Sequence, residues 1–327
     1  MPVMEQKLRT LYLMEILQER TDEEHILNAT ELCNILLQEY GISAERRTIY
    51  SEIETLEQFG LNIIKNVGKN PGYYVASRQF ELPELKLMVD AVQSSKFITE
   101  KKSNELIGKL GKLCSRAEAK ALSNQVVIFN RPKTENETIY YNVDQIHTAI
   151  FRNKQVTFQY AEWTMKKELH LKKDGAFYEI SPWALTWDDE NYYLVAYDEQ
   201  AGIIKHYRVD KMRHIRILDN ERQGKEQFQN FDLAAFAKKT FGMYGGTDQE
   251  VVLFCHKELA GVVIDRFGHD IFMHPVDDEH FRAHVLVSVS RQFFGWVTGV
   301  GNKMQIAEPE SVRKEYKIYL QEVLENY

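Results

Sequence analysis

The apolar period of this chain changes once, near residue 140, and that change excludes a single-core fold. Before it, apolar residues recur at helical spacing, as in Leu13, Ile16 and Leu17, then Leu32, Ile35 and Leu36, then Ile49, Ile53 and Leu56. After it, the chain turns to short aromatic segments of alternating character, beginning with Gln155-Val156-Thr157-Phe158-Gln159-Tyr160. A helical period cannot serve a strand, so the two parts must build different layers. With 327 residues to place, two or three domains follow.

The helical part predicts three helices and a hairpin. Residues 5–20 form the first helix. Asn28-Ala29-Thr30-Glu31 opens the second with a capping box. After the turn Tyr40-Gly41-Ile42, Ser43 is placed to cap a third helix that starts near Arg46. That helix carries two patterns. Ile49, Ile53 and Leu56 make a stripe that packs on a core, while Arg47, Ser51, Glu54 and Gln58 fall on the opposite face, flanked by Arg46 and Tyr50. Leu61–Lys65 and Gly72–Val75 then read as strands around a turn that contains Lys69. Helix, helix, helix, hairpin is the order of a winged helix-turn-helix. Its DNA contacts would come from Ser43, Arg46, Arg47, Thr48, Tyr50, Ser51 and Lys69. A solvated amphipathic helix is the plainer alternative for 46–56.

Residues 82–123 read as helical, with Leu85, Met88, Val89 and Val92 in one helix and Leu106, Ile107, Leu110 and Leu113 in the next. The polar run 130–138 is the best boundary. A helix at 142–153 precedes strands at 155–160, 168–173, 176–187, 191–197 and 203–209, which point to a small barrel or bent sheet. Residues 220–247 read as a polar and aromatic connection. From 249 onward the pattern is strand, helix, strand, strand, helix, strand, helix, an α+β order.

Composition bounds the function classes. The net charge of −7 excludes a protein that coats nucleic acid nonspecifically. Residues 1–80 hold eight Lys/Arg against twelve Asp/Glu, a net of −4, so a DNA-binding tip there is thinly charged and needs a second copy. Cys33, Cys114 and Cys255 have no metal or redox spacing and read as buried thiols. Without an apolar run of about 20 residues or a secretory signal, the expectation is a cytoplasmic protein with no membrane partner. His256, His269, His274, His280 and His284 crowd the C-terminal part, yet none joins a zinc-protease helix pattern. Gly295, Gly299 and Gly301 make no phosphate loop, because Lys303 is followed by Met304. The expectation is therefore no enzyme, no metal and no cofactor.

Taken in order, these motifs resemble the WYL-domain transcriptional regulators over essentially the whole chain. The helix-turn-helix resemblance rests on Arg47-Thr48-Ile49-Tyr50-Ser51-Glu52-Ile53. The Trp-Tyr-Leu signature of the family stands here as Tyr192-Tyr193-Leu194, after Pro182-Trp183-Ala184-Leu185 and before Lys205-His206-Tyr207-Arg208-Val209-Asp210-Lys211. The C-terminal extension resembles the family's in Phe294-Gly295-Trp296-Val297 and Ile306–Arg313. Four positions depart from the pattern: Tyr192 replaces the signature tryptophan, Lys205 and Lys211 stand where Arg is usual, and Ser51 stands for an Arg of the reading helix. Lysine keeps the charge but loses the planar fork that grips phosphate.

The resemblance implies a multidomain α+β regulator. Its parts would be a winged helix-turn-helix DNA-binding domain (1–78), a helical linker (79–130), an Sm-like β-barrel WYL sensor (131–220) and a C-terminal ferredoxin-like α+β extension with its connecting segment (221–327). It implies double-stranded operator DNA as partner, a homodimer, and a single-stranded nucleic acid or nucleotide-like anion as effector. Ser181, Trp183, Tyr193, Tyr197, Lys205, His206, Arg208 and Lys211 are the candidate ligand residues, since interleaved aromatic and basic side chains stack bases and neutralise phosphates. Ser181 and Arg208 lead that set, because a buried hydroxyl and guanidinium need partners. An aromatic barrel core with a solvated basic edge is the alternative for these residues. For the whole chain the alternatives are a non-DNA-binding accessory protein or an enzyme acting on nucleotides.

Overall fold

The computed structural model describes residues 3–122, 133–134, 136–188, 190–229, 241 and 246–327. It divides into two compact units, Met1–Glu137 and Thr138–Tyr327. Residues 130–132 and 135 of the boundary stretch, and 230–240 and 242–245 of the connection, lie outside the described residues. Among the described residues no helix is long and apolar enough to cross a membrane.

In the first unit, helices α1 (Val3–Arg20), α2 (Ala29–Tyr40) and α3 (Arg46–Phe59) precede an antiparallel hairpin of β1 (Ile63–Asn66) and β2 (Gly72–Val75). The three predicted apolar stripes converge on one core, in which Leu13, Ile16, Leu17, Leu32, Leu36, Ile49, Ile53 and Leu56 are buried with Ile63 and Val75. Asn28 caps α2 through the expected box, accepting from Thr30 and Glu31 N–H while Glu31 reaches back. Ser43 does not cap α3. The chain stays extended through Glu45, which occupies the cap position with no side-chain hydrogen bond. Burial of Ile49, Ile53 and Leu56, about 1.5–3 kcal/mol each, holds α3 instead.

The hairpin is extended by a bridge from Leu27 to Tyr73, with hydrogen bonds in both directions of 2.8 and 3.2 Å. Gly72 makes that approach feasible, since a Cβ there would lie 2.6 Å from the Leu27 carbonyl oxygen. The predicted pair of linker helices is three: α4 (Leu82–Ser94), α5 (Glu100–Leu110) and α6 (Arg116–Leu122). Leu85 and Val89 are buried there, whereas Leu106, Ile107 and Leu110 are half-buried and Leu113 is exposed.

In the second unit, α7 (Ile139–Phe151) leads into β3 (Lys154–Trp163), β4 (Leu169–Leu171), β5 (Tyr178–Asp188), β6 (Asn191–Asp198), β7 (Ile203–Arg208) and β8 (Met212–Glu221). The strand β8 is not among the strands expected from sequence, which leaves 212–219 unassigned and starts the connection at 220. It pairs with β3, and the sheet runs β4-β3-β5-β6-β7 beyond that. No pairing joins β7 to β8, so the expected closed barrel is a curled half-barrel, bent by irregularities in the β3–β8 and β5–β6 registers. The strand predicted over 203–209 stops at Arg208, and Val209–Lys211 form a 3-10 turn. A short helix α8 (Lys225–Gln229) follows β8.

The C-terminal sheet comprises β9 (Thr247–His256), β10 (Phe272–Pro275), β11 (His280–Val289) and β12 (Met304–Glu308), with α9 (Ala260–Phe267), α10 (Arg291–Gly299) and α11 (Glu310–Leu324) between and after them. Its order, β10-β11-β9-β12, is that of a split βαβ arrangement, every neighbour antiparallel. Val251, Leu253 and Cys255 of β9 and Phe281, Ala283 and Val285 of β11 face the helices with Val263, Phe293 and Val297.

Candidate functional site

Two separate surfaces collect the predicted residues. On the first unit, the face of α3 away from the core presents Arg46, Arg47, Tyr50 and Ser51 to solvent, with Thr48 half-buried and Ser43 exposed just before the helix. The Tyr50 ring lies 6.3 Å from that of Tyr73 on β2, linking helix and hairpin. Lys69 is exposed in the turn, which Asn66 braces by donating to the Asn70 carbonyl at 2.8 Å. An open depression of about 460 Å³, lined by Thr30, Cys33 and residues 44–47, lies at the start of α3.

Part of the acidic balance of this unit is held in internal pairs, while Glu45, Glu54 and Glu57 stay exposed at and along α3. Arg9 Nε donates to the buried Glu52 at 2.7 Å, so that carboxylate is on the core side of α3 and not on its exposed face. Glu39 pairs with Arg20, Glu19 with Arg116, and Asp22 accepts from Ser115 and from the backbone N–H groups of Glu24 and His25. Arg46, Arg47, Lys65 and Lys69 make no ion pair among the described residues. They are the cations of α3 and the hairpin open to an outside anion.

On the second unit, the β5–β6–β7 register places Ser181 opposite Tyr197, and Tyr193 opposite Arg208, with His206 opposite Val195 between them. Residues directly opposite in antiparallel strands share a face. Five of the eight candidate ligand residues therefore lie on one face. Trp183 is the extra residue where the β5–β6 register shifts, a position that re-aims a side chain. Lys205 lies on the other face, 2.6 Å from Asp198, and Lys211 lies past the strand in the 3-10 turn.

The partners that Ser181 and Arg208 require are supplied within the chain. Ser181 Oγ accepts from Gln155 Nε2 at 3.2 Å and from the Gln223 backbone N–H at 2.8 Å. Arg208 forks onto Asp210 at 3.0 and 2.9 Å and donates to Asn191 at 2.8 Å. The hydrogen bonds to Asp210 hold the Arg208 guanidinium above its ordinary pKa. Burial, and then the Arg208 charge, push Lys211 down. Burial alone pushes His206 down to about 4.

Behind this face, Phe158, Tyr160, Tyr178 and Tyr207 pack as a ring cluster, with Phe158 and Tyr178 stacked at 5.5 Å. Burial raises Tyr160 to about 12. The aromatic-core alternative is thus realised by these four residues. Sequence reasoning missed Gln155, Asn191, Arg222, Gln223 and Phe228. Trp183 donates from Nε1 to the Gln223 carbonyl at 2.8 Å, stacks on Phe228 at 5.2 Å, and carries the Arg222 guanidinium 4.1 Å from its ring centroid. Only Asp210 had a visible signal, its position two residues beyond Arg208.

The C-terminal histidines decorate a sheet surface. His280 Nδ1 lies 2.9 Å from Asp277, and His256 Nε2 lies 3.3 Å from Glu279. Among the described residues no group of three or more His, Cys, Asp or Glu could hold a metal.

Residues 141–217 match the WYL domain family, and residues 247–324 match the WCX domain family. No curated protein matches the chain. Among solved structures it is similar to proteasome accessory factor B/C (PafBC) of Arthrobacter aurescens, with 18% identity, a TM-score of 0.29, and coverage of 98% of this chain and 48% of that one. It is also similar to a CRISPR Cas-related protein, with 14% identity, a TM-score of 0.36, and coverage of 92% and 78%. The chain thus spans about half the length of the first of these.

Proposed function

We propose that this WYL-domain-containing chain is a ligand-responsive, DNA-binding transcriptional regulator. In this reading α3 and the β1–β2 hairpin act as a winged helix-turn-helix. Arg46 and Arg47 meet phosphates, Tyr50 and Ser51 meet the major groove, and Lys69 meets the backbone beside the wing. The curled sheet, Sm-like in this reading, takes a single-stranded nucleic acid or nucleotide-like anion on the face that carries Ser181, Tyr193, Tyr197, His206 and Arg208. The observation that carries the proposal is the leading end of α3 with the hairpin turn: Arg46, Arg47, Lys65 and Lys69 are exposed without an ion pair among the described residues, while Glu52 is turned inward onto Arg9. Control by a ligand requires different affinities for two arrangements of a homodimer.

The test is a mobility shift on the DNA upstream of the protein's own gene, at low and physiological salt. Wild type is expected to bind, and an Arg46→Ala/Arg47→Ala variant to lose most of that affinity. Equal, weak binding by both would return the chain to the accessory-protein reading, in which the first unit contacts protein and not DNA.

A further inference from the structure

We infer that residues 222–228 are an internal competitor, occupying the stacking and hydrogen-bonding positions that Ser181, Trp183 and Tyr197 offer to a nucleobase. The inference rests on the ligand reading of the curled sheet and names how that site is regulated. Residue 223 presents one backbone donor and one backbone acceptor, and both are met by side chains of β5: its N–H by Ser181 Oγ at 2.8 Å, its carbonyl by Trp183 Nε1 at 2.8 Å. A base edge offers the same adjacent donor and acceptor. The indole of Trp183 is in turn stacked by the Phe228 ring at an interplanar angle of 16° and covered by the Arg222 guanidinium. Aromatic rings and guanidinium planes are the surfaces on which unstacked bases are held.

Tyr197 completes the contact. It packs so closely on Gly224 that a Cβ there would lie 2.2 Å from its ring, and Gly224 has φ +77°. Only glycine meets both conditions.

The segment is built to leave. It adds no strand to the sheet; one backbone bond, from the Arg222 N–H to the Asn153 carbonyl at 3.1 Å, anchors its start, and the rest of its hold involves side chains, with the Arg222 guanidinium bonded to the Pro182 carbonyl at 2.8 Å and to Asn153 Oδ1 at 3.1 Å. Gln223, Lys225, Glu226 and Gln227 are exposed. It starts where β8 ends and precedes the C-terminal sheet in the chain. A protein closed in this way binds its ligand more weakly by the fraction of molecules that are open.

The experiment uses the full chain as wild type, Phe228→Ala and Gly224→Ala. Binding of a short labelled single-stranded oligonucleotide is followed by fluorescence anisotropy, and hydrogen exchange of 222–228 is read with and without saturating oligonucleotide. Both variants are expected to bind about 10-fold more tightly, and exchange in 222–228 of wild type to rise on saturation. Folded variants that bind no more tightly than wild type, or a segment as protected in the complex as without ligand, overturn the competitor alone. Two variants are used because either could unfold; melting curves identify which to read. If none of the three proteins binds, the ligand reading itself fails and the competitor with it.

Discussion

Glu52 lies on the helix proposed to read DNA, yet its charge is spent inward on Arg9. Both side chains are under a tenth exposed. Removing one partner of such a pair leaves a buried charge, so Glu52→Ala is expected to cost about 3–5 kcal/mol in urea unfolding. An Arg9→Met/Glu52→Leu double variant should recover most of that loss; a double variant as unstable as the single one would mean the pair is not the cause. His206 makes a second prediction. Its folded pKa of about 4 lies below the ordinary 6.5 because burial disfavours the imidazolium. The stability it contributes is complete above about pH 6.5 and is lost as pH falls through 4. Across that window the urea midpoint of wild type should fall more steeply than that of His206→Gln, and parallel curves would refute the assignment.

At the scale of elements, the hairpin and α3 act as one piece because Leu27 stitches β2 to the segment before α2. A methyl group at Gly72 would press on the Leu27 backbone. Gly72→Ala is therefore expected to cost about 1–3 kcal/mol and to raise hydrogen exchange at Tyr73 N–H; unchanged exchange there would show the bridge to be dispensable. Elements with local signatures were legible in the sequence. The Asn28–Glu31 box, the three stripes of α1 to α3 and the alternation of β6 all declare themselves within a few residues. Ser43 failed as a cap because the chain ahead of α3 stays extended for two more residues, which no local pattern reports. The strand β8 was hidden by Arg213, His214 and Arg216, which interrupt its apolar alternation, and by its shifted register against β3. Likewise the gap between β7 and β8, and the service of Ser181 to Gln223, depend on pairings between distant segments. The sequence names Ser181 and Arg208 as residues that need partners, but not that Gln223 and Asp210 supply them.

For the whole molecule, a net charge of −7 and a small exposed cationic tip would set the salt dependence of the proposed DNA binding. Each phosphate contact adds about 0.9 to the slope of log affinity against log salt. Loss of Arg46 and Arg47 should lower that slope by about 1.8 for one reading helix and about 3.6 for two. Titrations of wild type and the double variant at several salt concentrations measure it, and a change near zero would remove these arginines from the interface.

The contacts of α6 bear on where the first unit can be cut. Ser115 donates to Asp22, Arg116 Nε reaches Glu19 at 3.1 Å, and Arg78 donates to the Gln18 carbonyl at 3.0 Å while lying 3.9 Å from Glu118. The linker helices are thus part of the scaffold on which α1 and α2 rest, and a fragment ending at residue 78 would strip the carboxylate of Asp22 of its hydroxyl partner. Such a fragment should melt below one ending at Glu137, and the comparison of their melting curves decides it. A signal arriving through the linker would then need no separate lever: it would act on the foundations of the reading head itself.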